Sequence, residues 1–86
     1  MNTLELDTMI KELHTVADEL AGYLPAETIQ YFRDFIEHSE VGVGVEILLE
    51  QVSENDIVLS ERAYCLLEKA GRGIIDDDYF SNVKHK

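Results

Sequence analysis

Basic side chains are scarce in this sequence: 7 lysines and arginines stand against 18 aspartates and glutamates, a formal net charge of −11. That shortage excludes a cationic patch for nucleic acid or an anionic membrane. It favours a basic protein partner, whose encounter with this chain would be sped by electrostatic steering. Cysteine is nearly missing too. Cys65 stands alone, so no intrachain disulfide can form, which suits a reducing compartment. No apolar run approaches the ~18 residues that a membrane span needs. The opening MNTLELD lacks the basic start and apolar centre of a secretory signal. A cytosolic location is therefore the expectation. With one proline and 45% apolar residues, the composition fits a compact fold and argues against disorder. Eighty-six residues leave room for one core, so 1–86 is read as a single domain, with 81–86 as a loose tail.

What is present is helical periodicity. Leu6, Met9, Ile10, Leu13, Val16, Ala17 and Leu20 recur on one face, capped by Asn2 or Thr3, and Gly22 is a natural residue to close this first helix. Pro25 suits the first position of a second helix, which carries Ile29, Phe32, Phe35 and Ile36 and ends near His38. Ser39 can cap a third helix. Gly42 and Gly44 lie in its early turns, where their expected use is close approach to a neighbouring helix. Asn55 and Asp56 stop it. Ile57-Val58-Leu59 reads as an extended connector, since no second strand-like run exists to pair with it. Ser60 then caps a fourth helix with Ala63, Leu66, Leu67, Ala70 and Ile74 on its inner side. Ile75 to Phe80 suggests an extra turn. The expected fold class is all-α: a small antiparallel bundle of about four helices with short connections.

The third helix stands apart. Val41, Val45, Leu48, Leu49 and Val52 make its core stripe, while Glu46, Glu50 and Glu54 repeat one turn apart on the opposite side. Like charges at this spacing oppose helix formation by about 0.2–0.5 kcal/mol per pair. No lysine or arginine occurs between Arg33 and Arg62 to relieve them locally. Val43 and Ile47 lie beside the row rather than on the core stripe. Such a face suits a basic partner; a solvated outer surface is the competing reading.

Chemistry of other kinds finds little support. His14, His38 and His85 are not spaced with one another or with Cys65 as metal ligands. His14 reads as a boundary residue and Cys65 as an outward one, without a nucleophile signature. Asp76-Asp77-Asp78 lacks the glycine and terminal glutamate of a calcium loop. Gly71-x-Gly73 follows a helix, so it is not a dinucleotide loop. Gly42-x-Gly44 has acidic neighbours that would repel phosphate. Ser39, Ser53, Ser60 and Ser81 lack the Asp-Ser-Leu context of a carrier protein. No cofactor, metal or catalytic residue is expected, and the chain reads as a binding protein, not an enzyme.

Leu24-Pro25, the run Phe35-Ile36-Glu37-His38-Ser39-Glu40, the helix from Gly42 to Val52, and Asn55-Asp56-Ile57-Val58-Leu59-Ser60 together resemble the MafI-like immunity proteins. These accompany bacterial polymorphic toxins, including contact-dependent growth inhibition systems. The resemblance covers roughly Leu24 to Gly71. Gly44 stands where that family often has alanine, and Leu49 where cysteine is common. The resemblance implies a helical protein that binds and neutralises one cognate toxin C-terminal domain, often a nuclease; some relatives are paired with EndoU-like RNases. The acidic face independently suits the basic groove of a nuclease. The Glu37-His38 and Glu40 matches concern a helix corner rather than toxin contact. Colicin immunity proteins are also small, acidic and helical, but their Tyr-Tyr-Pro motif is absent here.

The expected toxin-binding residues are Glu46, Glu50, Glu54 and Asp56 for charge, with Val43, Ile47, Tyr31 and Tyr79 as anchors and Asp76, Asp77 and Asp78 at the rim. The alternative is an acidic helical adaptor or DNA mimic that binds a basic regulatory protein. Homodimerisation through the Val43–Ile47 side is open but not favoured.

Overall fold

A computed structural model describes residues 3–86, with side chains from Glu5 onward. These residues are mostly helical: α1 (Thr3–Leu20), α2 (Ala26–Glu37), α3 (Val41–Glu54), α4 (Glu61–Gly71) and a single turn, α5 (Asp78–Ser81). Two very short strands, β1 (Val58–Leu59) and β2 (Lys84–His85), complete the order. No helix among the described residues is long and apolar enough to cross a membrane.

One core joins all the helices. Leu13, Val16, Ala17 and Leu20 of α1 meet Ile29, Phe32 and Ile36 of α2, the stripe Val45, Leu48, Leu49 and Val52 of α3, and Ala63, Leu67 and Ala70 of α4. Each set follows the helical period, which is why each helix has one wet and one dry side. Gly44 makes the expected close approach: a Cβ there would sit 3.1 Å from Phe35 Cβ and 3.5 Å from Phe32 and Ile36. Ser60 Oγ accepts from the Ala63 amide at 3.1 Å, capping α4 as its position suggests. The cap expected at Asn2 or Thr3 lies outside the residues whose side chains are described.

The boundaries differ from expectation at several points. Pro25 occupies the N-cap of α2, one position before the helix proper. Ser39 does not cap α3. It sits at φ +62°, while an N-cap needs extended backbone; Glu40 precedes the helix instead, and its amide donates to Phe35 O at 2.8 Å to close the corner. Gly22 does not adopt the left-handed conformation that would close α1. Gly73 does so after α4, at φ +87°. That reversal moves Ile74 out of the inner stripe, leaving it 69% exposed, and turns Ile75 into the core in its place.

The chain end is also corrected. Residues 81–86 are docked rather than loose. Val83 is buried, and β2 runs parallel to β1 with Val58 opposite Lys84 and Leu59 opposite His85. The Lys86 amide donates to Leu59 O at 3.0 Å, and the His85 ring stacks on Tyr64 with centroids 3.7 Å apart. The connector 57–59 therefore does find a strand partner. Lys84-His85 has no apolar alternation to announce itself, because both side chains are exposed and the strand is formed by main-chain pairing.

Candidate functional site

The outward side of α3 follows from its period. With Val45, Leu48, Leu49 and Val52 turned inward, Val43, Glu50 and Glu54 are exposed, and Glu46 and Ile47 are half-buried at the shoulders. Gly44 on one shoulder meets α2. Ser53 on the other donates to Asn82 O at 3.1 Å, which brings α5 alongside.

This second contact assembles something the sequence could not show. α5 carries Tyr79 to the edge of the acidic row. The phenol is held above its ordinary 10.0, first by the charge of Glu46, then by burial and by the charges of Glu50 and Asp76, with a hydrogen bond to Glu46 last. Each effect favours the protonated hydroxyl over a phenolate. A notch of about 230 Å³ opens between α3 and α5, lined by Leu49, Glu50, Ser53, Glu54, Tyr79 and Asn82. A shallower one beside it is lined by Asp76, Asp78, Tyr79 and Asn82.

The carboxylates of the row are not spent on cations. Among the described residues, ion pairs join Arg33 to Asp18, Lys69 to Glu12, Arg72 to Glu68 and Asp77, and Lys84 to Asp56, and Glu37 accepts from His14. Glu46, Glu50 and Glu54 are in none of them. Glu54 accepts only a long bond from Gln51 Nε2 at 3.4 Å.

The other expected contact residues divide. The aspartate triplet splits: Asp76 Oδ1 accepts from the Asp78 amide at 3.0 Å, whereas Asp77 turns away to Arg72. The Arg72 guanidinium, bonded to Glu68 and Asp77, is held above its ordinary pKa and lies 4.5 Å over the Phe80 ring. Asp56 is removed from the row. It sits at φ +53° and pairs with Lys84 at 3.4 Å, on a different concavity. Tyr31 is 58% exposed on α2, one turn before Phe35, so it lies on the side of α2 that borders α3. Ser53, Asn82 and Leu49 were not anticipated as site residues. Ser53 and Asn82 are neutral and aperiodic, and Leu49 is a core position that lies buried beneath the notch.

No family model, curated protein or solved structure matches the chain. Function must be argued from the surface itself.

Two other places on the surface bring polar groups together. One concavity, of about 630 Å³, is a wide hollow lined by Glu19, Leu20, Tyr23, Asn55 to Val58, Ser60 and Lys86. Ser60 Oγ there accepts from the Ala63 amide and donates to Glu19, so it serves to cap α4 and tie it to α1. The second place is His14. Arg33 can only donate, so its 2.8 Å contact makes His14 Nδ1 the acceptor, and Nε2 donates to Glu37 at 2.5 Å. Both ring nitrogens are used in joining α1 to α2. Among the described residues no group of His, Cys, Asp or Glu converges to hold a metal ion.

Proposed function

We propose that this protein is a non-catalytic immunity protein that binds a cognate bacterial toxin domain, a basic nuclease, and occludes its substrate groove. The carrying observation is the row of exposed Glu50 and Glu54 with half-buried Glu46, which enters no ion pair among the described residues, while Arg33, Lys69, Arg72 and Lys84 pair with carboxylates elsewhere. A nuclease groove must be cationic to hold phosphate. An acidic face flanked by Val43, Ile47 and Tyr79 can be guided to it by charge and anchored by apolar contact. In this reading the four long helices form an antiparallel bundle with the outer side of α3 as its working surface, and the resemblance from Leu24 to Gly71 to MafI-like immunity proteins supports the same assignment.

The test is co-expression with the toxin domain encoded beside its gene, scored by cell survival. The native chain should protect. The triple variant Glu46→Lys, Glu50→Lys, Glu54→Lys should fold and fail to protect. Full protection by that variant would remove the acidic face from the mechanism, and no protection by the native chain would end the immunity reading.

A further inference from the structure

The groove between α3 and α5 has two unlike walls and a defined charge. Leu49 lies fully buried beneath it. Glu50 and Glu54 stand on the α3 side, and the ring of Tyr79 with Asn82 stands on the α5 side. Several classes of occupant are excluded on physical grounds. Anions are repelled by Glu46, Glu50, Glu54, Asp76 and Asp78. A second copy of the chain would bring another surface of net charge −11. A bare metal ion needs carboxylates that converge on one point, and none converge so among the described residues.

An elongated organic cation remains. A lysine head is a compact, strongly hydrated point charge. A guanidinium is planar, binds two acceptors as a fork and lays its face on an aromatic ring, while its methylene stem covers apolar surface. Carboxylates on one wall and a tyrosine ring on the other fit that second shape.

We infer that this groove docks a cationic segment of the partner protein whose anchor is a single arginine, its guanidinium between Glu50 and Glu54 and its face against Tyr79. The inference rests on the proposed reading that a basic partner meets the α3 face, and it adds the side chain by which that partner is recognised. Val43 and Ile47, at the other end of the outward side, receive the apolar neighbours of the arginine.

The experiment uses the full chain and two peptides of equal length and charge. One carries an arginine among leucines and further basic residues; in the other, lysine replaces every arginine. Affinity is read by fluorescence polarisation, and position by amide NMR shifts at Leu49, Ser53, Tyr79 and Asn82. The arginine peptide should bind about tenfold more tightly than the lysine peptide. Tyr79→Ala should abolish most of that preference, and Glu50→Gln should weaken both peptides. Because Tyr79→Ala can loosen α5, Glu54→Gln provides an independent test: it should cut the arginine preference with the fold intact. Equal affinity for the two peptides, with both weakened by Glu50→Gln, overturns the arginine anchor and leaves the basic-partner reading standing. Equal affinity that survives Glu50→Gln and Glu54→Gln together overturns both. Shifts confined to the Tyr23–Val58 hollow, or no shifts with either peptide, also overturn the inference.

Discussion

Two acidic regions of this molecule use the same residue types to opposite ends. Between α1 and α2, carboxylates are tied off: Arg33 donates to Asp18 at 2.6 Å and to His14, and His14 donates to Glu37. On the outer side of α3, Glu50 and Glu54 face solvent and Glu46 stands half-buried beside Tyr79, with no cation in pairing distance of the three among the described residues. The first arrangement holds two helices together. The second works against its own helix, since each like-charge pair one turn apart is destabilising by a few tenths of a kcal/mol. A carboxylate's role is thus decided by whether the fold brings it a partner, not by its abundance in the chain.

That contrast can be broken most severely from the core. Phe32 is fully buried and reaches α3 at Gly44, so Phe32→Ala should cost about 3–5 kcal/mol in denaturant unfolding and weaken seam and face together. If the loss is under about 1 kcal/mol, the two regions do not share one core.

Charge reversal separates them. Glu50→Lys should slow association with a basic partner by about tenfold and flatten its salt dependence. The same change should leave the fold equally or slightly more stable, by about 0.2–0.5 kcal/mol, as the like-charge row is interrupted. Stopped-flow kinetics and urea melts read the two effects separately. A stability loss with unchanged kinetics would make the row structural.

The mirror variant is Arg33→Met. It removes the donor shared by Asp18 and His14 and should cost about 1 kcal/mol, a modest figure because Asp18 is largely exposed. Association should not change. Slower binding by this variant would extend the docking surface onto α1 and α2.

The smallest expected effect is a pH dependence. Tyr79 holds its proton more tightly in the folded chain than the ordinary 10.0, because Glu46, burial, Glu50 and Asp76 disfavour the phenolate. Its contribution to stability is therefore complete below pH 10 and is lost as pH rises through the folded value. In Glu46→Gln the phenolate transition, followed by ultraviolet absorbance, should move down toward 10.0. An unmoved transition would separate Tyr79 from the acidic row.

Much of this was legible in the residues, and the exceptions share a cause. The stripe of α3, the serine cap of α4, the glycine contact at Gly44 and the extra turn at α5 depend on local period or on one side chain's chemistry. Ser39, Ile74 and the chain end were misjudged because competing local choices were settled elsewhere. The corner bond from Glu40 to Phe35 O set Ser39, the Gly73 reversal chose Ile75 over Ile74, and β1 captured Lys84-His85 through its main chain, helped by His85 on Tyr64 and Lys84 on Asp56. The site was legible as an acidic row, but Asp56 and Asp77 left it for Lys84 and Arg72.

The sequence by itself determined that α3 would have one dry and one acidic side, and that nothing nearby in the chain would neutralise the latter. Side-chain spacing and the 3.6-residue turn suffice for that. Only the tertiary structure decided that Tyr79 and Asn82 would stand against that side and turn a row into a groove. α5 is a single turn, too short to hold its own shape. Its place comes from Phe80 in the core, Ser53 on Asn82 and the docked strand beyond it, contacts between residues distant in sequence that no local pattern encodes.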